Sequence, residues 1–384
     1  MKLIVAPGDG VGSLLAAIKG AKKSVDIAIF RFDRADIEKA LKAAAERGVK
    51  VTVLIASDNR GGEQRLRRLE SRCLAAGIIV ARTSDDLTRY HNKYILIDHR
   101  VLYMLSFNFT HLDIDHSRGF GIVSTQSLWV GEATRLFKAD CTRTKYKPKT
   151  ETFVVSPENA RSALETFLKR AKTQLLIYDP KIADKDLLRV LHEREKAGVE
   201  IKVIGSVAGR NEFDVQKLAG RRLHTRTIIR DRKQAFVGSQ SLRAEELDSR
   251  RELGLIVHDA KVVKTLIDTF EADWTSPKPK KEAARSKAKK DVEDEPAVSE
   301  KEAEKAVKVL TKELDPLADK VKKAVKSAVA ESGEGILHDK DIEHTMKQVV
   351  KKAAKAAVKE AVKDAQDAED AEDAKETKDA KSQT

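Results

Sequence analysis

Two octets in this chain hold a histidine, a cation and an acid at the same spacing: HNKYILID at 91–98 and HTRTIIRD at 224–231. A histidine can attack an electrophile or carry a proton near neutral pH, while lysine and arginine supply fixed positive charge. Displacement at phosphorus needs such a set. It takes a nucleophile, a separate acid on the leaving-group side, and cations facing the non-bridging oxygens. His91 and His224 are the candidates for the first two tasks. Lys93 and Arg226, with Ser106, Asn108 and Ser239 as hydrogen-bond donors, are the candidates for the third. One octet alone would be a weak signal, since most histidines are ordinary core or surface residues. Two octets in matching places are a strong one. His91 to His224, Asp98 to Asp231, Ser106 to Ser239 and Phe137 to Phe270 are each 133 positions apart.

The octets belong to a larger repeat. SVDIAIF (24–30) is answered by TQLLIYD (173–179), ERGVKVTVLI (46–55) by KAGVEIKVIG (196–205), and FKADC (137–141) by FEADW (270–274). Each half reads as a helical stretch, an apolar strand, an Ala- and Leu-rich charged helix and another strand, which is an α/β unit with helices packed on a mixed sheet. The expected organisation is one half at 1–148, a second at 149–276 and a charged tail at 277–384. Because the earlier matches are offset by about 150 positions, the first half carries an insertion, expected as a surface loop at SDNRGGEQRLRR. If the octets are extended, His91 and Lys93 share one face. Asp98 and Asp231 then fall at the strand ends, as structural anchors.

This duplicated pattern, HxKxxxxD followed by a small-hydroxyl turn, resembles the phospholipase D superfamily, and the resemblance covers Met1 to about Trp274. It implies two similar α/β halves about a pseudo-twofold axis, with both histidines in one cleft. It also implies a reaction without metal or other cofactor. One histidine forms a phosphohistidine, and the other protonates the leaving alcohol and then activates water or an acceptor alcohol. The members it looks closest to are phospholipase D-like or cardiolipin-synthase-like. Phospholipid head groups are therefore the first substrate expectation; nucleic acid backbone is the second, and a binding protein with a decayed site the third.

The sequence departs from the family pattern in four places. Arg226 replaces a lysine, Met104 and Leu105 precede Ser106 where a glycine is usual, and Ser241 replaces an asparagine. The family also places an acid 28 residues after each histidine. Glu252 stands there for His224, whereas Gly119 stands there for His91. A carboxylate beside a histidine favours its protonated form, so the expectation is that Glu252 makes His224 the acid and leaves His91 the nucleophile. Asp113 and Asp115 are nearby acids that could supply the missing partner and reverse those roles.

Charge and composition bound the remainder. Residues 1–276 contain 49 Lys and Arg against 36 Asp and Glu, so the whole excess of +13 lies there and the tail is balanced. A basic body implies polyanionic partners. Cys73 and Cys141 match no metal or redox spacing and are expected to be reduced and buried. No export signal or membrane span is read, and the expected location is cytoplasmic, peripheral to a membrane at most. In the tail, Val307, Leu310, Leu314, Leu317, Val321 and Val325 form one helical stripe and Ile342, Met346 and Val349 begin another. Between a flexible linker and a disordered end, these stripes read first as a solvated helical pair, with oligomerisation or contact of a lysine-rich arm with an anionic surface as the functional alternatives.

Overall fold

The computed structural model describes residues 1–57 and 63–276. In the first half the strands β1 (Lys2–Ala6), β2 (Ser24–Ile29), β3 (Lys50–Ile55), β4 (Ile79–Arg82), β6 (Tyr94–Ile97), β7 (Val101–Leu105) and β8 (Ser117–Ser124) run in the sheet order β1-β8-β7-β6-β2-β3-β4. In the second, β9 (Phe153–Val155), β10 (Gln174–Ile182), β11 (Glu200–Val207), β12 (Asp214–Gln216), β14 (Arg226–Arg230), β15 (Gln234–Gly238) and β17 (Leu253–Val257) run β9-β17-β15-β14-β10-β11-β12. The two orders match strand for strand. Each sheet is mixed, with parallel β2·β3 and β10·β11 pairs beside antiparallel hairpins. The sequence repeat is thus a repeat of topology.

Helices cover the sheets as the apolar periods require. α1 (Gly12–Gly20), α2 (Ala35–Glu46) and α3 (Glu63–Ala75) seal one face of the first sheet; α5 (Ala160–Lys169) and α6 (Lys185–Lys196) seal one face of the second. The remaining faces share a core. α4 (Ser127–Thr142) brings Trp129, Leu136 and Phe137, and α8 (Ala260–Thr275) brings Leu266 and Phe270, into one apolar cluster with residues of both sheets. The described residues accordingly form one compact unit.

The structure corrects three expectations. Each half opens on a strand, β1 or β9, before its helix. The expected loop at 57–68 becomes α3 from Glu63 onward, with Leu66, Leu69 and Cys73 buried at helical spacing; 58–62 lie outside the described residues. Cys141 is half-buried rather than buried. The expectations for the tail also lie outside the described residues.

Asp98 and Asp231 show how the octets are anchored. Both have positive φ, 52° each, a conformation that a short polar side chain tolerates when it bonds locally. The Asp98 carboxylate accepts the backbone N–H groups of Lys22, Lys23 and Ser24 at 3.1, 2.6 and 2.9 Å. Asp231 accepts those of Lys172, Thr173 and Gln174 at 3.0, 2.7 and 3.1 Å. Each acid therefore ties the turn after its octet to the start of the neighbouring strand.

Candidate functional site

The octets are extended only in part. β6 begins at Tyr94, so His91, Asn92 and Lys93 precede the ladder, and His224 and Thr225 likewise precede β14. What positions the histidines is the other half. The short strand β5 (Arg89–Tyr90) pairs in parallel with β16 (Arg250–Arg251), and β13 (Arg222–Leu223) pairs in parallel with β8 at Ser117 and Arg118. The ladders continue one step further, because His91 N–H donates to Arg251 O at 2.8 Å and His224 N–H donates to Arg118 O at 3.0 Å. Each histidine is thereby drawn to the seam.

The same two arginines clamp that seam. Arg118 makes a bidentate pair with Asp273 at 2.7 and 2.8 Å and donates to Ala6 O, and Tyr178 OH donates to Asp273. At the equivalent place Arg251 reaches Asp140 at 3.2 Å, Glu158 at 2.5 Å and Ser156 O at 3.1 Å. Burial raises the Asp140 carboxyl to about 7 even though Arg251 opposes it.

Crossing of the seam corrects the carboxylate assignment. Glu252 pairs with His91, not His224: Nδ1 of His91 lies 2.9 and 2.8 Å from the two Glu252 oxygens. The reason is topological, since Glu252 follows β16, the strand that the His91 segment pairs with. Glu252 is fully buried, and the Ser239 hydroxyl donates to it at 2.5 Å. Burial raises Glu252 and lowers His91; Lys93, Arg226, Arg89 and Arg250 push His91 further down. A neutral imidazole that donates its Nδ1–H in a hydrogen bond to Glu252 keeps a lone pair on Nε2.

His224 takes its acid from the first half. Its Nδ1 lies 3.6 Å from Asp113 Oδ2, beyond hydrogen-bond reach but well within Coulombic range. Asp113 sits in a π-helical turn, Leu112–His116, where Asn108 N–H donates to it at 2.9 Å and Arg222 at 2.6 Å. Burial works to raise Asp113, but His224, Arg222 and Asn108 outweigh it and hold the carboxyl at about 2. For His224 the order is reversed, with burial lowering it below the usual range and Asp113 opposing. Gly119 cannot be replaced by an acid here, because a Cβ would meet Phe107 Cδ1 at 2.6 Å. Asp115 is engaged elsewhere, with Arg34 at 2.7 Å and His111 at 3.1 Å.

Two of the small polar residues expected at the phosphate have their hydroxyls in use inside the protein. Ser239 spends its single O–H on Glu252. Ser106 is fully buried and accepts Phe120 N–H at 2.9 Å. Asn108 braces Asp113 through its backbone N–H and its side chain. The cations remain. Lys93 Nζ donates to His91 O at 2.7 Å, and burial lowers its affinity for a proton, which Glu252 partly offsets. Burial also works against the charge on Arg226, but Glu246, Glu252, Asp179 and Asp113 more than offset it. Lys93 and Arg226 each act on both histidines, which places all four in one charge cluster.

Glu246 was not read from the sequence, nor were Arg222 and Arg250 as parts of the site. Register could have found Glu246, since it lies 133 positions after Asp113 and accepts Ser241 N–H at 2.6 Å as Asp113 accepts Asn108 N–H. Among the described residues, no three His, Cys, Asp or Glu side chains gather as metal ligands would.

The family model described as "Cardiolipin synthase, PLD-like domain" matches residues 14–141 and 164–274, one segment for each half. The chain belongs to the phospholipase D superfamily. It is 29% identical over 168 residues to the mitochondrial cardiolipin hydrolase of Homo sapiens, covering 42% of this chain and 62% of that protein. With the Mus musculus protein of that name it shares 32% identity over 108 residues, 27% and 46% of the two lengths. The match thus spans less than two thirds of either relative. Among solved structures, the polyphosphate kinase of Porphyromonas gingivalis superposes with a TM-score of 0.61 at 21% identity, over 72% of this chain and 50% of that one. The phosphatidylserine synthase of Haemophilus influenzae gives 0.53 at 9% identity, over 71% and 85%. At such identities these neighbours speak for the fold alone.

Proposed function

We propose that the protein is a phosphodiester hydrolase or transferase that works through a phosphohistidine on His91, without a metal ion. The observation that carries this reading is the His91–Glu252 hydrogen bond at 2.8 Å, which orients the ring, while burial and the cations Lys93, Arg226, Arg89 and Arg250 keep the imidazole neutral and Nε2 free to act as nucleophile. In the first step Nε2 attacks phosphorus, the bond to the leaving oxygen breaks, and His224 gives that oxygen its proton. In the second, His224 takes a proton from water or an acceptor alcohol, whose oxygen attacks phosphorus and releases His91. Lys93 and Arg226 stabilise charge on the non-bridging oxygens throughout.

Asp113 is the group that favours a protonated His224, which sets a pH test. Its negative charge raises the His224 pKa, so Asp113→Asn lowers it, and His224 then loses its proton at a lower pH. The alkaline limb of kcat/KM is expected to move to lower pH while the acid limb, set by His91, stays in place. An unmoved alkaline limb contradicts this role for Asp113.

For the substrate, the curated relatives are named for cardiolipin, an anionic phospholipid. Beside its partner Glu252, His91 is acted on by four cations, Lys93, Arg226, Arg89 and Arg250. Such surroundings favour an anionic head group over a cationic one such as choline. Nucleic acid is the second reading, supported by the same arginines and the +13 excess. No helix among the described residues is long and apolar enough to cross a membrane. Cardiolipin and phosphatidylcholine in mixed micelles, and single-stranded DNA and RNA, would be offered in parallel. Cardiolipin turnover at several times the phosphatidylcholine rate is expected. Strand cleavage with neither lipid consumed would replace the first reading with the second.

A further inference from the structure

Arg226 and Ser241 both depart from their counterparts in the first half, Lys93 and Asn108, and the two departures touch. Arg226 Nε donates to Ser241 Oγ at 3.0 Å. Its Nη1 reaches His224 O at 3.4 Å, as Lys93 Nζ reaches His91 O at 2.7 Å. An arginine–serine pair and a lysine–asparagine pair contain equal numbers of non-hydrogen side-chain atoms. What arginine adds, serine gives back, so a densely packed site keeps its volume only if both change together.

Glu246 completes the arrangement. It is buried, its Oε2 accepts Ser241 N–H at 2.6 Å and lies 3.8 Å from Arg226 Nε, and its Oε1 faces Arg243 and Arg250 at 3.7 and 3.6 Å. Asp113, at the matching position, turns instead to Arg222 and His224. One repeat position thus serves a histidine in one case and an arginine in the other.

We propose that Arg226 and Ser241 are a single coupled replacement, in which Ser241 and Glu246 act as positioning residues that aim the Arg226 fork at the bound phosphoryl group. This rests on the phosphodiester reading above, which makes Arg226 a phosphate contact. With Nε held by Ser241, the two Nη groups form a planar donor pair matched to two non-bridging oxygens. A lysine has no Nε for Ser241 to hold and offers a point charge.

A double-mutant cycle tests the coupling. R226K, S241N and R226K/S241N would be compared by kcat and KM on bis(p-nitrophenyl) phosphate and by the Kd for inorganic phosphate from calorimetry. Each single change is expected to cost about tenfold or more in kcat/KM and in phosphate affinity, and the double, which recreates the Lys93–Asn108 pair, to return to within about threefold of the parent. Losses that multiply in the double would overturn the proposal. Should S241N fail to fold, S241A removes the acceptor without adding volume. Weaker phosphate binding by S241A, with little further loss in R226K/S241A, is expected; parental binding by S241A overturns the coupling. The phosphate Kd cycle decides this even if the parent shows no turnover, a result that would sink the phosphodiesterase reading alone. Additive losses in an enzyme that His91→Ala inactivates would sink the coupling alone.

Discussion

Replacing His91 with alanine will abolish release of p-nitrophenolate from bis(p-nitrophenyl) phosphate, a loss of about three to six orders of magnitude in kcat. His91 is held by Glu252 at 2.8 Å, closer than His224 lies to Asp113 at 3.6 Å. His224→Ala will behave differently on the same substrate. p-Nitrophenolate departs without a proton, so the first step needs no acid, whereas the second step needs His224 to take a proton from water. The expected trace is a burst of one equivalent followed by a stall. Equal behaviour of the two variants would show that the histidines do not divide the reaction as assigned.

Arg118→Ala will destabilise the protein by about 3–5 kcal/mol, because it leaves Asp273 buried without its bidentate partner. Arg118 and Asp273 are both nearly sealed from solvent, and the pair joins strand β8 of one half to helix α8 of the other. Arg118 O also accepts His224 N–H, so stability and site geometry share this residue. The denaturation midpoint in urea measures the effect. Lys264→Ala, which breaks an exposed pair with Asp268, should cost no more than about 1 kcal/mol. Equal midpoints for the two variants would contradict the role of the buried pair as a clamp.

The duplication of the α/β unit was legible because a repeated pattern of apolar runs, octets and FxADx segments must fold twice in the same way, whereas the order of strands in each sheet was not. The histidines and cations of the charge cluster were legible, because their types and register stand in the sequence. The partners of those histidines were not. An acid 28 positions downstream belongs to the same half of the chain, yet Glu252 is carried across the seam by the β5·β16 pairing, a tertiary contact without a local signal. The hydroxyls of Ser106 and Ser239 illustrate the same limit, since spacing places them at the site without saying which group they bond. Helix α3 is a different case. Its 3.6-residue period, seen in the burial of Leu66, Leu69 and Cys73, was present in the sequence but was outweighed by the adjacent glycines Gly61 and Gly62.

The most direct measurement is to map the covalent intermediate. His224→Ala would be mixed with bis(p-nitrophenyl) phosphate, quenched under conditions that preserve phosphoramidates, digested and examined by mass spectrometry. A nitrophenyl phosphate adduct on the peptide containing His91 is the expected result, absent when His91 is also replaced. Stoichiometric nitrophenolate release with no adduct at His91, or with the adduct on another residue, would contradict the account.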